Sequence, residues 1–332
     1  MAEPIVKPVV QRCAGLDVHR KIVVATILVE QADETVQEET REFGTFRKHR
    51  KELAKWLKSN GIELTVMEST GIYHQCIYRD LEAAGLTVHL VNARYVKQVP
   101  GRKTDVKDSQ WLASLARLGL LKASFVPPVD LRELRLITRY RVKLQNTLAS
   151  EKNRLHKVLD DSGIRLGTVV SDINGVSARA IIAGLIEGKP LKELVQCAKG
   201  RLKEKSQELE DSLEGELSSR HRFLLKQIHA HIDYLEQEVA QIDQHLAEAM
   251  KPYQEEWELL QTLPGMDRVS ATLVIAETGV DMSLFGSADK LASWAGLCPG
   301  THESAGKKKA DQDERAIPPC NASSVRLPMP LE

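Results

Sequence analysis

Four carboxylates in the first third of the 332-residue sequence have the types and settings of a metal site. Asp17 lies within an apolar, strand-like segment, where a buried charge is costly without a cation or a partner. Glu68 ends the apolar segment IELTVME, at the point where open α/β sheets place ligands. Asp105 and Asp108 fall three positions apart in the predicted first turn of a helix, where they would share one face.

Carboxylate oxygens are the ligands that Mg²⁺ and Mn²⁺ prefer in proteins. Two such ions about 4 Å apart can activate a nucleophile and stabilise the leaving oxygen in phosphoryl transfer. Each acid alone has a structural explanation, because Asp105 could stabilise a helix N-terminus and Asp17 could face solvent on an edge strand. The combined order of strand Asp, strand-end Glu and Asp-x-x-Asp at a helix start is what favours a metal site.

The elements that must position these acids alternate between strand-like and helix-like segments up to about residue 125. The segment GLDVHRKIVVATILVE is rich in Val and Ile and predicts one strand, with ETREFGTF as its partner. The elements predicted after it are a helix over 47–60 ended by Asn60-Gly61, the strand IELTVME, a helix over 71–84, the strand LTVHLVN, and a helix from Thr104 to Gly119. This order indicates a mixed α/β sheet with helices on its faces.

Beyond Pro127-Pro128 the pattern becomes helical, with one long basic helix over 129–162 and short helices over 164–203. Heptad spacing over 225–253 predicts an apolar seam, used either in a dimeric coiled coil or against the protein's own chain. A Leu-Pro-Gly turn before a helix near Asp267 resembles a helix–hairpin–helix turn, whose free N–H groups can hold phosphate. The predicted divisions of the chain are 11–127, 128–257, 258–309 and a disordered, non-periodic tail over 310–332.

Composition excludes several classes of protein. The sequence has no run of 18 apolar residues and no apolar leader, so neither a membrane span nor a signal peptide is expected. Its five scattered cysteines indicate a reducing cytoplasm rather than a zinc knuckle or a disulfide framework. Basic and acidic residues balance at 46 each, yet 131–158 is strongly basic and 204–258 strongly acidic. This separation of basic from acidic segments favours a protein with one surface that binds a polyanion. Two unrelated, solvent-exposed helices of opposite charge would also produce it.

The sequence resembles the DEDD transposases of bacterial insertion sequences over roughly residues 12–309. The resemblance is carried by GLDVHRK, VMESTGIY, NARYVKQVPGRKTDVKDSQWLA, LPGMDRVSATLVIAETG and SWAGLCPGTHESAGKKK. It implies an α/β RNase H/RuvC-like N-terminal domain, a long helical coiled-coil middle, and a small α-helical C-terminal domain. It also implies that Asp17, Glu68, Asp105 and Asp108 form a metal-binding tetrad. Ser304 would then be a nucleophile that forms a covalent phosphoserine link with DNA.

The same resemblance implies the partners: DNA as element ends and target, a structured guide RNA, and a homodimer or homotetramer in the bacterial cytoplasm at the nucleoid. The basic residues expected to attract phosphates are Arg94, Lys97, Arg102, Lys103, Lys107, Lys307 and Lys308. A second basic stripe is predicted on the long helix, at Arg132, Arg135, Arg139, Arg141 and Lys143.

The sequence departs from the family pattern after GKKK, where the acidic and proline-rich tail begins. A truncated or frame-shifted gene would have such a tail, and the expected consequence is an altered serine half of the site beside an intact acid half. Two other hypotheses stay open. One is a Holliday-junction-type endonuclease that shares the tetrad but hydrolyses with water. The other is an inactive, truncated transposase relative that acts as a nucleic-acid-binding scaffold and in which the acids are replaceable.

Overall fold

The computed structural model describes residues 8–69, 71–93, 96 and 107–297, together with the backbone of 303–304 and 307–308. Contacts within the chain define two units, Met1–Val126 and Pro127–Glu332. The four-part division of the chain stays a prediction. In the described ranges, no helix is both long and apolar enough to cross a lipid bilayer.

A five-stranded sheet with the order β3-β2-β1-β4-β5 forms the centre of the first unit. Its strands are β1 (Arg12–Val18), β2 (Ile22–Glu30), β3 (Val36–Gly44), β4 (Leu64–Glu68) and β5 (Val88–Val91). The first three strands are antiparallel neighbours, whereas β4 runs parallel to β1 and β5 parallel to β4. Parallel strands need crossover connections, which α1 (Arg47–Ser59) and α2 (His74–Ala83) supply. The mixed α/β fold is therefore confirmed.

The single strand predicted over GLDVHRKIVVATILVE is wrong, because the segment folds into the hairpin of β1 and β2. The chain reverses at His19-Arg20-Lys21, where the backbone N–H of His19 donates to the carbonyl of Ile22 at 2.9 Å. This turn contains neither Gly nor Pro, so the residue types that usually mark a reversal are missing from the sequence.

Helices cover both faces of the sheet. One face packs Leu16 against α1 and α2, burying Leu53 and Ile77. The other face packs Cys13 against α3 (Asp108–Arg117), burying Leu112. Side chains alternate between the faces of a strand, so Cys13, Gly15 and Asp17 point to the α3 face of β1.

The second unit is mostly helical, as expected. Its α-helices are α4 (Val129–Asp161), α5 (Leu166–Val169), α6 (Val176–Glu187), α7 (Leu191–Gln196), α8 (Ser206–Ser212), α9 (Ser219–Ala249), α10 (Gln254–Gln261), α11 (Arg268–Thr278) and α12 (Ala288–Trp294). Within residues 127–297, short 3₁₀ helices span Gly200–Lys205, Lys251–Tyr253 and Met282–Leu284. A two-stranded antiparallel pair, β6 (Glu303–Ser304) and β7 (Lys307–Lys308), follows them.

The heptad residues of α9 face the interior of the second unit. Leu225, Ile228 and Ile232 are buried in one hydrophobic core with Leu144 and Leu148 of α4. Of the two interpretations of the seam, the structure supports packing against the protein's own chain. These buried positions are therefore not a free surface for a second copy.

The start of α11 after the Leu-Pro-Gly turn is capped by the protein itself. The Asp267 carboxylate accepts the backbone N–H of Ser270 at 2.7 Å, and this bond lowers the pKa of Asp267. The sequence predicted that the N-terminus of this helix could bind phosphate. The carboxylate of Asp267 occupies that position instead, and its negative charge would repel a bound phosphate.

Three arginines of the predicted basic stripe on α4 are engaged within the second unit. Arg139 donates to both carboxylate oxygens of Glu277, at 2.9 and 3.0 Å. Arg135 lies 3.1 Å from the same carboxylate, and Glu277 is only 4% exposed. Arg141 forms an ion pair with Asp243 of α9. The prediction of a polyanion stripe is wrong for these three residues, which fix α4 to α11 and α9.

Replacement of Glu277 by alanine is expected to destabilise the second unit. Glu277→Ala removes the carboxylate shared by Arg135 and Arg139, and breaking a buried ion pair from one side costs about 3–5 kcal/mol. Urea unfolding followed by circular dichroism measures this loss. Glu248→Ala, at an exposed position on α9, is the control and should change the free energy of unfolding by less than about 0.5 kcal/mol. Equal losses of unfolding free energy in the two variants would show that the ion pairs of Glu277 with Arg135 and Arg139 do not stabilise the second unit.

Candidate active site

Asp17 and Glu68 lie on neighbouring parallel strands at the same edge of the sheet. In the register of β1 and β4, Gly15 is opposite Val66 and Leu16 opposite Met67. Asp17 and Glu68 occupy the next positions along these strands, and adjacent strands are about 4.8 Å apart. Both side chains alternate to the face covered by α3. The sheet alone therefore brings two of the four predicted acids together.

Helix α3 brings the third acid, Asp108, towards the same edge of the sheet. The Cys13 thiol donates to the carbonyl of Ala113 at 3.3 Å, and further along β1 the backbone of Ser109 lies against Gly15. The helix therefore runs antiparallel to β1, and its first residue, Asp108, lies towards Asp17. Buried Ser109 is also hydrogen-bonded to Thr26 of β2 at 2.8 Å, which fixes the start of the helix on the sheet.

The electrostatics of Asp17 reflect this crowding of acids. Burial raises the pKa of Asp17, and the charges of Asp108 and Glu68 raise it further. His19 acts in the opposite direction, with its Nε2 atom 3.0 Å from Oδ2 of Asp17. A partly buried carboxylate beside two others is an environment that a cation would stabilise.

His19 is the site residue that sequence reasoning missed. It is two positions after Asp17, so both side chains lie on the same side of the chain at the end of β1. The spacing Asp-x-His in GLDVHRK could have indicated that His19 contacts Asp17. That inference requires knowing that β1 ends at Val18, which the sequence did not show.

The donor chemistry of these residues fits a hard divalent cation, since all three acids offer carboxylate oxygens. Within the ranges that the structure describes, however, no three carboxylate, histidine or cysteine side chains lie close enough together to hold a metal ion. The fourth predicted ligand, Asp105, lies outside the described residues. The metal-binding tetrad thus stays a prediction, supported by the placement of three of its members.

The predicted start of α3 at Thr104 is wrong. Lys107 has an extended backbone, with φ −61° and ψ 148°, and the helix begins at Asp108. The backbone N–H of Lys107 donates to Oε1 of Gln110 at 3.1 Å, which helps to set this start. The argument for a shared face required a helical turn through Lys107, so the extended backbone of Lys107 removes that argument, and Asp105 itself lies outside the described residues.

The remaining predicted site residues are described only in part. Lys107 is exposed to solvent, as a phosphate-binding residue requires. Ser304 of β6 is paired with Lys307 of β7, next to Lys308. Four predicted phosphate-binding residues lie outside the described residues: Arg94, Lys97, Arg102 and Lys103.

The thiol of Cys13 beneath α3 provides a probe of this packing. Its burial raises the pKa of Cys13 to about 11, so at pH 8 only about one thiol in a thousand is ionised. We expect iodoacetamide to leave Cys13 of the native protein unmodified at pH 8 while the partly exposed Cys76 and Cys197 react. Modification should increase as the pH approaches 11, and peptide mass spectrometry measures it. Labelling of Cys13 at the rate of Cys76 at pH 8 would contradict this arrangement.

Comparison with known proteins identifies two matching family models. A DEDD transposase model, DEDD_Tnp_IS110, matches residues 14–163, and a model described as Transposase IS116/IS110/IS902 family matches residues 257–316. Together they cover more than half of the chain. No protein with a curated description matches.

Among solved structures, the chain is similar to Thermus thermophilus RuvC and to T. thermophilus RuvC in complex with a Holliday junction substrate. Each is 12% identical, with a TM-score of 0.26, and the match covers 34% of this chain and 99% of RuvC. A likeness at this TM-score does not assign the fold. On the strength of the two family models, the chain belongs to the IS110 family of transposases and is a DNA phosphoryl-transfer enzyme.

Proposed function

We propose that this transposase cuts and rejoins the DNA strands of an insertion sequence with a carboxylate-bound divalent cation and a serine nucleophile. The observation that carries the proposal is the convergence of Asp17, Glu68 and Asp108 on one face at one edge of the sheet. Asp105 completes the ligand set in the proposal, and Ser304 supplies the nucleophile.

The chain's own residues hold the acids in place. Asp17 and Glu68 project from paired strands, and Asp108 from a helix anchored by Ser109, so none of the three depends on a long loop for its position. His19 orients the carboxylate of Asp17 through their 3.0 Å contact. Bound Mg²⁺ or Mn²⁺ would supply positive charge to stabilise the negative charge on the attacking and leaving oxygens during the transfer.

In the proposed cleavage, the hydroxyl oxygen of Ser304 attacks a DNA phosphorus atom. A serine–phosphate bond forms as the bond from phosphorus to a deoxyribose oxygen breaks, and the serine proton ends on that leaving oxygen. The reverse reaction with the hydroxyl of another strand rejoins the DNA and frees the serine. Because one phosphoester replaces another at each step, the cycle requires no external energy source.

The partners in the proposal come from the family resemblance. They are the element ends and the target as DNA, and a structured guide RNA that selects them. Recombination must hold two or more DNA ends, so the proposal includes a dimer or tetramer. Lys107, Lys307 and Lys308 would contact phosphates, as would Arg94, Lys97, Arg102 and Lys103.

The test is a search for the covalent intermediate. The full chain, with its co-purified RNA, is incubated with labelled element-end DNA and Mg²⁺ and then resolved on a denaturing gel. We expect a protein–DNA adduct that is absent from Ser304→Ala and Asp108→Asn and is lost when EDTA replaces Mg²⁺. Ser287→Ala, a substitution of the serine that caps α12, is the matched control and should retain the adduct.

Two outcomes would overturn the proposal. Unchanged strand cleavage by Ser304→Ala, together with loss of cleavage by Asp108→Asn, would indicate an endonuclease that uses water. DNA binding without Mg²⁺-dependent cleavage by the wild-type chain would indicate a scaffold.

A further inference from the structure

We infer that a row of basic side chains on α1 binds the phosphate backbone of duplex DNA, on the sheet face opposite α3. This basic row consists of Arg47, Lys51, Lys55 and Lys58, all of which are exposed. The inference rests on the proposed function for its DNA substrate. None of these residues belongs to the tetrad or to the basic positions assigned above.

The spacing of the basic row suits a regular polyanion. Steps of four, four and three residues at 100° each place the four side chains within an arc of about 80° on the helix. At 1.5 Å per residue, the row spans about 16 Å, which corresponds to about five nucleotides at 3.4 Å per step. Leu53 and Leu57 are buried on the opposite side of α1, so the face that carries the row is held outward.

The charge of this surface is not cancelled by neighbouring acids. The basic row lines a groove between α1 and α2 whose other lining residues are Ala54, Asp80, Ala83 and Ala84. Asp80 is the acid in that groove, and it is already paired with Arg50 at 2.6 Å. Along the described part of the chain, no carboxylate forms an ion pair with a member of the row. The helix has six basic residues and one acid, Glu52.

The fold places one end of the basic row near the carboxylate edge. β3 runs in the same direction as β1, because each is antiparallel to β2, so Gly44 at the end of β3 lies at the edge that carries Asp17 and Glu68. α1 begins three residues later, at Arg47, and leads away from that edge. A duplex whose reacting phosphate lies at the carboxylate edge can therefore extend its flanking backbone over the row.

The features of the row favour phosphate contacts rather than a protein interface. The groove offers small alanines and lysine or arginine heads, without a large apolar side chain to anchor a protein partner. Evenly spaced cationic side chains can contact the phosphate backbone of DNA without contacting its bases. Such contacts fix the position of the duplex and do not depend on its sequence.

The test is a titration of the full chain with fluorescently labelled duplex DNA in EDTA, which prevents strand cleavage. The row variant replaces all four residues: Arg47→Gln, Lys51→Gln, Lys55→Gln and Lys58→Gln. The matched control makes the same charge change at exposed positions of the second unit: Lys192→Gln, Lys199→Gln, Arg201→Gln and Lys203→Gln. A third variant keeps the charge of the row, with Arg47→Lys and the three lysines changed to arginine.

The row variant should bind duplex DNA at least about tenfold more weakly at moderate salt, with the slope of log affinity against log salt smaller by up to about 3.6. The control and the charge-retaining variant should bind like the wild type, and thermal unfolding should be unchanged because all substituted side chains are exposed. Equal losses in the row variant and the control would overturn the inference, as would wild-type binding of duplex DNA by the row variant. Since the titration involves no cleavage, its failure is distinguishable from failure of the adduct experiment.

Discussion

Asp17→Asn should reduce Mg²⁺-dependent strand cleavage by about 10³-fold or more while leaving the first unit folded. The substitution keeps the shape of the side chain and removes its charge. In the wild type, burial raises the pKa of Asp17, and the neighbouring charges of Asp108 and Glu68 raise it further. Without a cation, these acids repel one another, so the free energy of unfolding of Asp17→Asn in EDTA should equal or exceed that of the wild type.

Two measurements separate a catalytic acid from a structural one. Cleavage of element-end DNA gives the activity, and thermal unfolding with and without Mg²⁺ gives the stabilisation by the cation, which the variant should lose. Asp33→Asn, at the exposed β2–β3 turn, is the matched control and should retain both activity and the Mg²⁺ effect. A variant that unfolds, or one that still cleaves at the wild-type rate, would show that Asp17 does not serve the proposed site.

The sequence predicted those parts of the first unit that have strong local signals. α1 ends at Asn60-Gly61 as expected, because Gly61 adopts φ 63°, and the apolar run before Glu68 forms β4. The reversal at His19-Arg20-Lys21 and the start of α3 at Asp108 were not predictable in the same way. The first has no Gly or Pro, and the second depends on contacts of α3 with β1 and β2.

The pairing of distant charges shows the limit of local patterns most clearly. A run of arginines on α4 has the composition of a polyanion-binding stripe, yet Arg139 pairs with Glu277, 138 residues away. On α1, by contrast, the basic row stays exposed and, in the part of the chain that the structure describes, unpaired, because the acid in its groove, Asp80, is already paired with Arg50. A sequence shows where charge is concentrated, and only the fold decides whether it is cancelled. The convergence of Asp17 with Glu68 follows from parallel pairing, which the strand pattern indicated without giving the register.

Gly15 lies where α3 approaches β1 most closely, and this packing sets the position of Asp108 relative to Asp17. A Cβ atom added at Gly15 would lie closer than 3.0 Å to the carbonyl oxygen of Ser109 and the backbone nitrogen of Ala113. These are backbone atoms of a helix that Thr26 holds through Ser109, so they cannot give way as a flexible side chain would. Gly15→Ala must therefore displace α3 or distort β1.

Gly15→Ala should lower the free energy of unfolding of the first unit by about 3 kcal/mol or more, the upper range for overpacking a core. Gly85→Ala is the control, because a Cβ there meets no atom within 4 Å and costs only the strain of φ 77°, about 1–2 kcal/mol. Urea unfolding measures both. Displacement of α3 should also expose Cys13 to iodoacetamide at pH 8 and abolish cleavage, since Asp108 moves with its helix. A stable Gly15→Ala protein with protected Cys13 and full activity would show that the close approach of α3 does not position the acids.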